Sequence, residues 1–144
     1  MPKSTTACND ILGLIFNAAA IANLADNASS SPVTNLYVSL HTANPGVGGD
    51  QTTNEAAYTN YARFAVARTT GGWAAPSSGA TSNAVLIQFP QCGASGATVT
   101  HVAIGTAVSG SGKVLYAGAL NDSLPIANLI QPQFAVGALD VTET

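Results

Sequence analysis

The sequence predicts a mainly β fold, an antiparallel β-sandwich or jelly roll with one N-terminal α-helix. Three observations predict it. Short runs in which apolar and polar residues alternate recur between residues 35 and 142. Clusters of Gly, Pro, Ser and Asn separate those runs. Only residues 9–26 carry apolar residues at helical spacing. Strands and helices do not alternate, which argues against a parallel doubly wound sheet. The chain of 144 residues predicts a single domain, 1–144, large enough to build a core without a metal or disulfide staple.

The helix is expected at 9–26, with Asn9 as N-cap and Asp10 at the positive end of the helix dipole. Ile11, Leu14, Ile15, Ala18, Ala22 and Ala25 form its stripe, while Phe16 and Ile21 fall outside it, so more than half the circumference is apolar. Such a helix packs on two sides, and the face of Ile11, Leu14 and Ile15 is a candidate interface. Strands are expected at Leu36–His41, Tyr61–Thr69, a short one from Trp73, Val85–Phe89, Val99–Thr106, Lys113–Leu120 and Gln133–Thr142. The loop from Asn44 to Tyr58 is long for a compact domain, and long ordered loops tend to carry contacts.

Composition bounds the function. Hydrophobic residues make up 47% of the chain and charged residues only 8%, against about 25% in an ordinary soluble domain. A surface so poor in charge fits burial within an assembly, or a coat of small polar residues. The net charge is −3, and the cations Lys3, Arg63, Arg68 and Lys113 form no run, which argues against nucleic-acid binding. The apolar stretch 11–24 is interrupted by Gly13, Asn17 and Asn23 and preceded by Asp10, a poor match to a targeting signal and too polar to span a bilayer. No membrane partner is expected.

Candidate chemistry fails on spacing. Cys8 and Cys92 stand far apart, in no metal-ligand pattern, and read as two small buried thiols. His41 and His101 lack acidic partners at ligand spacing, so no metal is expected. Ser39 near His41 suggests a hydrolase pair on paper, but no Gly-x-Ser-x-Gly elbow is present. Gly110-Ser111-Gly112-Lys113 lies between two strands, where a phosphate loop needs a helix. The carboxylates fall mostly in loops, at the expected helix ends and at the C-terminus. The chain reads as a non-enzyme without cofactors. Tyr58, Tyr61 and Arg63 are further candidate interface residues, since Tyr and Arg are favoured at contacts.

The ordered set of motifs resembles a family of small structural proteins of tailed bacteriophages. It comprises Leu36-Tyr37-Val38-Ser39-Leu40-His41-Thr42-Ala43-Asn44-Pro45, then Asn54-Glu55, Tyr58 and Tyr61-Ala62-Arg63, then Gly72-Trp73 and Ile87-Gln88-Phe89-Pro90. Thr100-His101-Val102-Ala103-Ile104-Gly105, Leu115-Tyr116-Ala117-Gly118-Ala119-Leu120 and Phe134-Ala135-Val136-Gly137-Ala138-Leu139 complete it. Some members of the family are similar to capsid cement or decoration proteins, others to tail fibres. The resemblance implies a virion protein. The leading expectation is a cement protein on the outer capsid surface, bridging major capsid protein subunits and pairing with itself as a homodimer at two-fold positions or as a trimer. The alternatives are a tail or tail-fibre component, or a carbohydrate-binding module using Trp73 and Tyr61. The Ala/Asn-rich stretch Phe16–Asp26 departs from the family pattern.

Overall fold

The computed structural model describes residues 3–21 and 33–144. It is mainly β, with antiparallel sheets and one N-terminal helix, consistent with a β-sandwich. The elements in chain order are α1 (Thr5–Phe16), β1 (Asn35–His41), β2 (Phe64–Ala67), β3 (Ala80–Ser82), β4 (Ile87–Gln88), β5 (Ala97–Gly105), β6 (Val114–Ile126), β7 (Gln133–Phe134) and β8 (Asp140–Thr142). A four-stranded sheet runs β2-β1-β5-β6, and β3-β8 and β4-β7 form two-stranded ribbons. The chain divides into two compact units of interleaved segments. One comprises Met1–Asn35, Val66–Ile87 and Phe134–Thr144; the other comprises Leu36–Ala65 and Gln88–Gln133.

In the first unit the helix starts four residues earlier than the sequence predicts. Ser4 is the N-cap, in extended geometry, and its hydroxyl accepts from the Ala7 N–H at 3.2 Å. Asn9, the expected cap, instead accepts from the Gly79 N–H through Oδ1 at 2.6 Å. The helix also ends early, at Phe16. Ala18 adopts a left-handed conformation (φ 54°), and the Gly13 carbonyl accepts from both the Asn17 and Ala19 N–H groups. Residues 22–26 of the expected helix lie outside the described residues. The buried stripe is Cys8, Leu12 and Phe16, four residues apart, and Phe16 packs edge-on against Trp73 at 4.7 Å.

The C-terminal end of the helix is closed by a side chain distant in sequence. Arg68 donates through Nη2 to Leu14 O (2.6 Å), through Nε to Ile15 O (2.6 Å) and through Nη1 to Val33 O (2.5 Å). Terminal helix carbonyls lack partners within the helix, and a cation there also opposes the negative end of the dipole. Asn83 does similar work for the strands. Fully buried, it donates to Val85 O and Ala135 O (both 2.8 Å) and accepts from Leu139 N at 2.9 Å. The single strand expected at 133–142 is therefore broken into β7 and β8 by a loop bound to Asn83, with Gly137 at φ 75°.

In the second unit β1 is covered on both faces rather than half-buried. Leu36, Val38 and Leu40 are buried, and so are Ser39 and His41. It pairs antiparallel with β5 from Tyr37↔Gly105 to His41↔His101, and the end of the long loop returns beside it, bridging Glu55 to His41. Gln51 lies over two glycines. A Cβ on Gly105 would stand 2.2 Å from Gln51 Cδ, and one on Gly112 would stand 2.0 Å from Gln51 Oε1. That oxygen accepts from the Ala107 N–H at 2.8 Å. The predicted strand Tyr61–Thr69 contracts to Phe64–Ala67, and the one at Val85–Phe89 contracts to Ile87–Gln88. β6 runs six residues past its expected end at Leu120, and β3 was not expected. Trp73 forms an isolated bridge to Asn83 in place of a strand.

Arg68→Ala is expected to lower the unfolding free energy by roughly 2 kcal/mol, the scale of hydrogen bonds to a charged group, with Arg68→Lys recovering part of it. Urea denaturation of the three proteins checks this, and an unchanged midpoint in Arg68→Ala would exclude the capping role.

Candidate functional site

The densest polar cluster lies in the second unit, around Glu55. Its carboxylate accepts two bonds from Arg63, Nε to Oε1 at 2.6 Å and Nη2 to Oε2 at 2.7 Å. The Tyr61 hydroxyl donates to Oε1 at 3.0 Å and accepts from the Leu40 N–H at 3.0 Å. Arg63 continues to Ala107 O through Nη1 (2.9 Å) and to Gly110 O through Nη2 (2.8 Å). Its side chain is 2% exposed. The hydrogen-bonded Glu55 carboxylate holds the guanidinium above its usual pKa. Tyr61 lies parallel to Phe89 at 6.4 Å and edge-on to Tyr58 at 5.2 Å. Tyr58 is buried, donates to Pro90 O at 2.9 Å, and burial pushes its phenol up to about 12. Burial raises the Tyr61 phenol as well.

Beside this cluster stands the Ser39–His41 pair. His41 Nδ1 lies 2.9 Å from Thr53 O, so it carries the proton, and Nε2 accepts from the Ser39 hydroxyl at 2.8 Å. The spacing is that of a nucleophile and its base. Both residues are fully buried, however, and the third partner is a carbonyl rather than a carboxylate. Burial lowers the His41 pKa and outweighs the raising effect of the Thr53 carbonyl, so the ring is held neutral. The arrangement fastens β1 to the long loop.

His101 bonds to Thr100 Oγ1 at 2.8 Å. Cys8 and Cys92 are free and buried. Among the described residues no group of three or more His, Cys, Asp or Glu is placed to hold a metal ion, and no helix is long and apolar enough to cross a membrane. Trp73 is fully buried, so it has no face open for stacking on a sugar.

The sequence-predicted interface residues are thus dispersed. Ile11, Leu14 and Ile15 are half-buried on α1, in the first unit. Tyr58, Tyr61 and Arg63 come together in the second, with their polar groups bound to partners of that unit. Four large apolar side chains face outward there among exposed polar residues such as Thr42, Asn54, Asn121 and Asp122. Val47 is fully exposed at the tip of the long loop, Leu129 is 68% exposed, and Val108 and Ile130 are also exposed. Beside Val47 runs an open groove of about 420 Å³, bordered by Val114, Leu115 and Ala117 of β6. Sequence reasoning picked out the long loop but missed Leu129 and Ile130, whose signal was two adjacent large apolar residues beside a turn.

The polar groups around Glu55 thus find their partners within the second unit, whose strands form part of a mainly β fold. Residues 3–142 match the family model described as podophage GP4 fiber I protein gp80, and the chain belongs to that family of phage structural proteins. No curated protein matches the chain.

The neutral His41 makes stability depend on pH. Its folded pKa lies below the unfolded value of 6.5, so the unfolded chain takes up a proton first as pH falls. Stability is expected to be full above that value and to fall below it, by up to about 1.4 kcal/mol per pH unit, until the folded pKa is reached. His41→Asn, which keeps a donor toward Thr53, is expected to flatten this slope between pH 7 and 5. Denaturation at fixed pH values measures it, and equal slopes in both proteins would refute the assignment.

Proposed function

We propose that this chain is a non-enzymatic structural component of a fibre on the particle of a short-tailed phage. The family match across residues 3–142 carries the reading, because the family is described as a fibre protein. The surface supports a life in contact with other chains. Two of the four Lys and Arg residues, Arg63 and Arg68, are engaged internally, and Lys3 is paired with Glu143. Few charged groups remain at the surface, Asp10, Asp122 and Asp140 among them, so solubility as a free monomer is poorly served. Repeated weak contacts between copies then hold through multivalency.

The second reading is the cement protein that the sequence motifs imply, bridging major capsid protein subunits on the outside of the head. The same scarcity of charge favours it. Imaging of labelled particles separates the two, together with immunoblots of heads stripped of their tails and fibres. The fibre reading predicts signal on the appendages and none on stripped heads. Signal spread over the head lattice and retained after stripping would overturn it in favour of cement.

A further inference from the structure

We propose that His41 is an acid-sensitive latch, and that in mild acid the strap Thr42–Asn54 lifts from β1 while the four-stranded sheet stays folded. The strap is held by hydrogen bonds more than by packing. Of its residues only Pro45 and Gln51 are buried. None belongs to the apolar core, whose nearest members in sequence are Leu40 before the strap and Ala56 after it. Segments with few buried apolar contacts open at a lower free energy than the fold as a whole. Both ends of the strap are anchored. β1 pairs with β5 up to His41, and Glu55 is held by Arg63 and Tyr61. Between those ends the ties are Thr42 N–H to Asn54 O (2.8 Å), Gln51 N–H to Gly112 O (2.9 Å) and His41 Nδ1–H to Thr53 O (2.9 Å).

Two features poise the strap to open. Gln51 Nε2 is buried without a hydrogen-bond partner among the described residues, so the closed strap withholds from water a donor that opening would satisfy. The second feature is the ring of His41, whose two nitrogens are both engaged. Nδ1–H serves Thr53 O, and Nε2 accepts from the Ser39 hydroxyl at 2.8 Å. A proton added at Nε2 would meet that donor head on. Ser39 would have to turn its hydroxyl to the Ala103 carbonyl, at a long 3.4 Å. The new charge would also be shut away from water, which is why burial lowers the His41 pKa. Three charged or titratable groups face the ring. Glu55 of the long loop favours a charge there, whereas Arg63, from the segment before β2, and His101, opposite on β5, oppose it. Glu55 already carries two bonds from Arg63 and so offers His41 little compensation. Releasing Thr53 opens the ring to water, where its pKa returns toward 6.5. Acid therefore favours the open strap below that value. The latch is independent of whether the chain belongs to fibre or head.

Native-state hydrogen exchange followed by NMR between pH 7 and 5, with and without urea below the unfolding transition, tests the latch. Protection factors remove the intrinsic pH dependence of exchange, and conditions are chosen so that reclosing outruns exchange. The Thr42 and Gln51 amides are expected to be at least about tenfold less protected than the slowest amides of the β1–β5 ladder. Their protection is expected to be nearly insensitive to urea, because lifting the strap exposes little surface. Below pH 6.5 it is expected to fall by up to about tenfold per pH unit in the wild type, and to stay level in His41→Asn. Thr42 and Gln51 amides that match the ladder in protection and urea dependence would overturn the proposal, since the strap would then open only with the whole fold. Protection in the wild type that does not change with pH, or a pH dependence that survives in His41→Asn, would overturn it as well. Should His41→Asn fail to fold, the two wild-type readouts still decide.

Discussion

The second unit depends on the bidentate pair between Arg63 and Glu55. One guanidinium joins the returning end of the long loop, through Glu55, to the turn after β5, through Ala107 O and Gly110 O. Tyr61 extends the link to the backbone of β1 at Leu40. A pair this enclosed gains little net stability, because desolvation of both ions offsets their attraction. Its effect is to fix geometry, since a loop that carried Glu55 away would leave the buried Arg63 side chain without its carboxylate. The long loop thereby becomes an ordered element that presents Val47 and one wall of a groove.

Much of the β pattern was legible. Alternation located β1, β5 and the start of β6, because a strand's period reflects the faces that bury it. The errors have local causes. Ser4 and Asn9 are both good caps, and only the fold assigns Ser4 to the helix and Asn9 to Gly79. Tyr61 and Arg63 look like strand residues, but a carboxylate six and eight residues back draws them out of the ladder. The break at 135–139 depends on Asn83, some fifty residues earlier, which reads as nothing more than a turn former. The same limit explains the interface residues. Tyr and Arg are favoured at contacts and in buried networks alike, and their spacing along the chain does not separate the two.

Scarcity of charge takes on a sharper meaning once the ions are placed. Arg63 and Arg68 serve internal carbonyls and a carboxylate, and they are cations that a sequence count would assign to the surface. The surface therefore carries fewer charges than the 8% charged composition implies, and Asp10, Asp122 and Asp140 are among those it keeps. Exposed small residues on β6 such as Ala117, Gly118 and Ala119 keep that part of the surface low, which suits the close packing of the proposed assembly.

A double-mutant cycle on Glu55 and Arg63, read by urea denaturation, tests the central claim most directly. Glu55→Gln and Arg63→Met are each expected to destabilise the fold by about 3 kcal/mol or more, because each strands its buried partner. The double variant is expected to recover a large part of that loss, giving a coupling energy above about 1 kcal/mol. Single losses that simply add in the double variant would contradict the account, since the pair would then place nothing that the rest of the unit does not already hold.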